Sequence, residues 1–137
     1  MEQHSLLDDN TFEAQFAACK LSPGMFTHEA HIRLAWIHVK KYGVEQAIQN
    51  ICNQLLAFVD AVGARDKYNK TLTIAAIKSV KHFRDKKEID CFADFITEYP
   101  RLKYNFKEVI GFHYKTDIFT SETAKREFLE PDLLPFT

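Results

Sequence analysis

The stretch 44–62 constrains the fold more than any other. Val44, Ala47, Ile48, Ile51, Leu55, Phe58, Val59 and Val62 fall on one arc of a helix, with Glu45, Gln46, Gln49, Asn53 and Asp60 opposite. About five turns with a single apolar stripe describe a helix laid along a core, the central member of a bundle. Strand-like alternation is weak throughout the chain. Pro23, Gly24, Gly43, Gly63 and Pro100 stand at joints between apolar-periodic segments, and Pro131 and Pro135 mark a tail.

The same reading places helices over 9–20, starting near Asp9 or Asn10, and over 27–42, with Thr27 as cap. Further helices are expected over 71–83, 88–99 and 121–129, with a short one within 105–113 and a polar loop over 63–70. The fold class is all-α: a single compact bundle of about six or seven helices. One helical domain spans 1–137, and residues 130–137 form an extended tail packing on the bundle.

Composition narrows the function classes. A chain of 137 residues, 46% apolar and with 12 Phe, can bury a core and is not disordered. Its net charge is -1 and its pI about 6.6, so there is no basic excess to neutralise phosphates and no nucleic-acid partner is expected. No run approaches the roughly 18 to 20 apolar residues of a membrane span. The N-terminus has no basic segment followed by an apolar run, so a cytoplasmic protein is expected. Cys19, Cys52 and Cys91 are widely spaced and form no C-x-x-C pair, which fits reduced thiols; Cys52 and Cys91 fall on apolar helical faces.

Chemistry is hinted at in the 27–42 helix, which carries His28, His31 and His38. At about 100° per residue, His31 and His38 lie within about 20° of each other and His28 about 60° from His31. That half also carries Leu34, Ala35 and Val39, so the three imidazoles are expected to face the interior, with Glu29, Arg33 and Lys40 on the opposite arc. His28 and His31, at i and i+3, can converge on one divalent metal such as zinc. His38 lies about 10 Å further along the axis, too far to join them. H-x-x-H is a short motif, common by chance. The competing readings are a metal-free proton-transfer role for His28 or His31, and ordinary structural histidines, each with one nitrogen satisfied.

The segment 65–73 adds a second constellation. Lys67 supplies charge, Tyr68 and Asn69 polar groups, and Thr71 and Thr73 hydroxyls, all beside a helix start where anions are favoured. Either this segment binds a small molecule, or it is a solvated loop in which Asn69 or Lys70 leads into a helix capped by Thr71. The leading expectation is a pocket lined by His28, His31, Lys67, Tyr68, Asn69, Thr71 and Thr73, with His28 and His31 as metal ligands or proton carriers. The alternative is a non-catalytic interaction or accessory domain whose histidines are core residues and whose Phe-rich surfaces bind a partner or form a homodimer.

The residues 28–36, Lys67-Tyr68-Asn69-Lys70-Thr71-Leu72-Thr73 and Pro131-Asp132-Leu133 resemble a group of small bacterial proteins mostly described as uncharacterised. Their pattern reads H-x-x-H-L-R-x-A-W, then K-Y-H-x-T-x-T, then P-D-L. The resemblance covers about 27–133 and implies one compact helical domain, with no established activity. The pattern carries a third histidine where this chain has Asn69. Two helix histidines and a loop histidine would resemble a three-ligand site with an open position. Asparagine is a poor zinc ligand, so the resemblance implies a weakened metal site here, or another ligand such as Asp66.

Overall fold

The computed structural model describes residues 1–136. They contain eight α-helices and three short 3-10 turns, and no strand. The fold is all-α. The chain divides into two compact units, Met1–Tyr68 and Asn69–Thr137, with the boundary inside the segment read from sequence as a polar loop.

The N-terminal unit begins with a 3-10 turn, Gln3–Leu6, followed by α1 (Asp9–Ala17), α2 (His28–Tyr42) and α3 (Val44–Ala61). Asp8, one residue earlier than expected, caps α1 by accepting from the Thr11 N–H at 2.7 Å. The helix stops at Ala17 rather than near Lys20, because Cys19 turns into the left-handed region at φ 58. Thr27 caps α2, accepting from Ala30 N–H at 3.2 Å. Gly43 alone joins α2 to α3, at φ 83, where an L side chain would be strained. The α3 stripe packs as its periodicity requires: Ala47, Ile51, Leu55, Phe58 and Val59 are buried. Phe16 of α1 and Phe58 of α3 stack at 5.0 Å, and Phe26 lies 4.6 Å from Phe16 and 5.3 Å from Phe58.

The C-terminal unit holds α4 (Lys70–Arg84), α5 (Phe92–Glu98), α6 (Arg101–Tyr104), α7 (Phe106–Gly111) and α8 (Glu122–Arg126). Its core gathers Ala75, Ile110, Tyr114, Ile118, Ala124 and Phe136, with Leu72, Phe106, Phe119 and Leu129 packed against them. The helix expected over 88–99 is only the seven residues of α5. Phe92 and Phe95 are its buried anchors, Ala93 is exposed, and Cys91 is an exposed residue at the helix start rather than part of an apolar face. The tail is held to the helix end that follows α7. Leu133 N–H donates to the His113 carbonyl at 3.0 Å, Lys115 N–H donates to Asp132 at 2.9 Å, and Phe136 stacks on His113 at 4.0 Å.

Candidate functional site

The face assignment of α2 holds for Leu34, Ala35, His38, Val39 and Lys40 and fails at four residues. Glu29 (9% exposed) and Arg33 (6%), expected on the solvated arc, are buried, whereas His28 and His31, expected to face the interior, are exposed. Only His38 (1%) takes the core position. The physical reason is that α2 is buried nearly all round from Glu29 to Val39. The N-terminal 3-10 turn covers its charged side, and hydrogen bonds rather than water satisfy the charges there.

That cover is a polar network. The Arg33 guanidinium donates to the carbonyls of His4 (2.6 Å) and Leu7 (2.7 Å) and to Asp9 Oδ1 (2.9 Å), and its Cζ lies 4.7 Å over the Phe12 ring. His4, itself 1% exposed, sits between Arg33 and Glu29: Nδ1 is 3.3 Å from Arg33 and Nε2 is 2.6 Å from Glu29 Oε2. Glu2 accepts from the Thr27 hydroxyl and approaches His4 Nε2 at 3.6 Å. The potential ligand atoms of Glu2, His4 and Glu29 lie within 4.8 Å of one another, the one such three-ligand group among the described residues. The donor types are those of a metal site, but the guanidinium beside Nδ1 disfavours a cation there. A guanidinium only donates, so Nδ1 accepts and the ring proton resides on Nε2, where it is given to Glu29. A metal at Nε2 would have to displace that proton while Arg33 occupied the other nitrogen. The cluster is therefore a hydrogen-bonded clasp for the chain start. Sequence reasoning gave His4 no role, since 25 residues separate it from Glu29 and no local pattern links them.

His28 and His31 stand on the first turn of α2, three residues apart. The His31 ring packs against Phe26, centroids 3.9 Å apart, and makes no hydrogen bond among the described residues, while its backbone N–H donates to the Thr27 carbonyl at 3.0 Å. Crowding by protein atoms, aided by the neighbouring His28, lowers its pKa to about 4. The residue nevertheless presents surface to water. His38 is different. Its Nδ1 lies 3.4 Å from the Asn50 amide, its Nε2 is buried without a partner, and burial lowers its pKa against the opposing pull of Glu13.

The remaining predicted residues separate at the unit boundary. Lys67 and Tyr68 belong with the histidines in the N-terminal unit. Lys67 is exposed at the end of the turn Arg65–Lys67. Tyr68 is half-buried, and burial together with the Cys52 thiol raises its phenol well above the ordinary value. Asn69, Thr71 and Thr73 belong to the C-terminal unit, and each is bonded within it. Asn69, not Thr71, caps α4: Oδ1 accepts from Leu72 N–H at 2.9 Å, while Nδ2 donates to the Ile118 carbonyl at 2.7 Å. Thr71 donates to the Glu127 carbonyl at 2.7 Å and accepts from Leu129 N–H at 3.0 Å. Thr73 donates back to the Asn69 carbonyl at 2.7 Å. Thr71 holds the start of α4 to the segment after α8, and Asn69 holds it to Ile118, ahead of α8. No helix is long and apolar enough to cross a membrane. No known family model, curated protein or solved structure matches the chain.

Proposed function

We propose that this chain binds a small molecule at the start of α2, through the imidazoles of His28 and His31, with a divalent cation such as zinc as the shared partner. The observation that carries the reading is the geometry of the pair: His28 and His31 stand three residues apart on the exposed first turn of α2, with the His31 ring braced by Phe26, and a lowered His31 pKa of about 4 agrees with a neutral ring. A neutral imidazole has a nitrogen lone pair to offer a metal or a ligand donor, and no proton must be displaced at neutral pH. The same value argues against proton transfer by His31, because an effective acid–base group titrates near the working pH. Two imidazoles supply half of a tetrahedral shell, so the bound molecule and water would complete it. Lys67 and Tyr68, in the same unit, are candidates for contacts to that molecule, whereas Asn69, Thr71 and Thr73 are better explained by the bonds that hold α4.

The test begins with elemental analysis of untagged protein purified without metal columns or chelators, beside the His28→Ala/His31→Ala variant. Zinc titration followed by histidine-selective NMR completes it. Saturable zinc-induced shifts of both rings, lost in the variant while its unfolding midpoint is kept, support the reading. If zinc moves neither ring, the metal reading fails. If a thermal-shift screen of metabolite-like compounds also fails to distinguish wild type from variant, the small-molecule reading fails with it.

A further inference from the structure

We infer a second binding site, for a small organic anion, in the groove of the C-terminal unit between the end of α4, the α6–α7 segment and the tail. The groove has a volume of about 540 Å³, and its ionisable lining is of one character: His82, Lys86, Arg101 and His113, with no carboxylate among the lining residues. Cavities of a few hundred Å³ with a few convergent polar groups are the usual form of small-molecule sites. At the floor stands Ser79, 1% exposed, whose hydroxyl is buried with no hydrogen-bond partner. A buried hydroxyl without a partner is costly. A serine in a helix ordinarily escapes that cost by bonding back to its own turn, and this one does not.

The cationic groups are presented rather than spent. The Lys86 ammonium has no ion pair or hydrogen bond among the described residues, its backbone N–H alone being bonded, to the Phe83 carbonyl at 3.2 Å. Arg101 makes one exposed pair with Glu108 at 3.0 Å, and its Cζ lies 5.4 Å from the Phe112 ring centroid. Such exposed pairs are weak and can be shared with a ligand. A guanidinium suits the bidentate recognition of a carboxylate or phosphate. His113 is fixed by its Nδ1 bond to the Leu134 carbonyl at 2.8 Å, so the tail forms a firm wall. Phe112 is half-exposed and gives an apolar surface beside the charges. Together these select an anion carrying an apolar group: the anionic head toward Arg101 and Lys86 with a hydrogen bond from Ser79, and the apolar part along Phe112.

The probes are phenyl phosphate and phenylacetate, with 2-phenylethanol as the neutral control, followed by amide NMR of the full chain at low salt. Either anion should give saturable shifts confined to residues 79–86, 101–113 and 133–135, with a dissociation constant of about 1 mM or tighter; the better of the two names the head group. Lys86→Gln with Arg101→Gln should weaken binding at least about tenfold, consistent with loss of two charge-assisted contacts. Ser79→Ala should weaken it several-fold while leaving the unfolding midpoint equal or higher, because the unbound protein gains nothing from that hydroxyl. The proposal is overturned if neither anion shifts these residues, if the alcohol binds as well as the anions, or if the double variant binds unchanged.

Discussion

Replacing Arg33 with methionine removes a buried guanidinium while keeping the length of the side chain. The Arg33 donors hold the carbonyls of His4 and Leu7 at 2.6 and 2.7 Å, and its charge faces His4 Nδ1 and Asp9. Bonds from a charged donor contribute about 1.5–3 kcal/mol each, and removing one partner of a buried charged set costs about 3–5 kcal/mol. Methionine restores some packing over Phe12, so the expected loss is about 3–5 kcal/mol, a large share of a typical 5–15. At a urea slope of about 2 kcal/mol per molar, the unfolding midpoint falls by roughly 2 M. Equilibrium urea unfolding at pH 7 reads it directly. Asp9→Ala is the control: its side chain is 45% exposed, so it should cost under about 1 kcal/mol. A loss below about 1 kcal/mol for Arg33→Met would refute the view that this clasp holds the chain start. Equal losses for Arg33→Met and Asp9→Ala would mean that the ion pair, not the carbonyl bonds, carries the energy.

Thr71→Val removes both a donor and an acceptor at a fully buried position and should cost about 1–3 kcal/mol, whereas Thr71→Ser should cost less, as thermal unfolding will report. Asn69→His, the substitution that the resembled sequence pattern suggests, replaces an amide whose oxygen and nitrogen branch from one carbon with a ring whose two nitrogens are placed differently; it should destabilise by about 1–3 kcal/mol, and an unchanged melting temperature would contradict that. His31 and His38 both have pKa values below the ordinary 6.5, so the unfolded state binds more protons as pH falls. Their contribution is intact above pH 6.5 and is lost on acidification, for His31 down to about pH 4, where its loss levels off. His31→Gln should therefore flatten the fall in urea midpoint between pH 6.5 and 4.5, and parallel profiles for the two proteins would show that the ring is not held neutral.

The α3 stripe was legible because one side of that helix is dry and the other wet, the condition under which periodicity reports burial. Thr27 as a cap and Gly43 as a joint were equally readable, since backbone geometry at helix ends depends on neighbouring residues alone. The α2 faces were not readable. Glu29 and Arg33, four residues apart with opposite charges, look like a solvated surface pair. They became buried because a segment some 25 residues earlier brings His4 and backbone carbonyls onto them. The same lack of local signal hid the Ser79 groove, whose basic side chains come from residues 82, 86, 101 and 113.

The sequence by itself determined the all-α class, the extent of α3, the joint at Gly43 and the presence of an imidazole pair on the first turn of α2. Those follow from propensity, spacing and turn chemistry within a few residues. Only the tertiary structure decided which side of α2 meets water, that Asn69 and Thr71 act as fasteners, and that His4 joins a buried clasp. Each of those depends on polar groups far apart in the chain satisfying one another once water is excluded, and no local pattern encodes the partner.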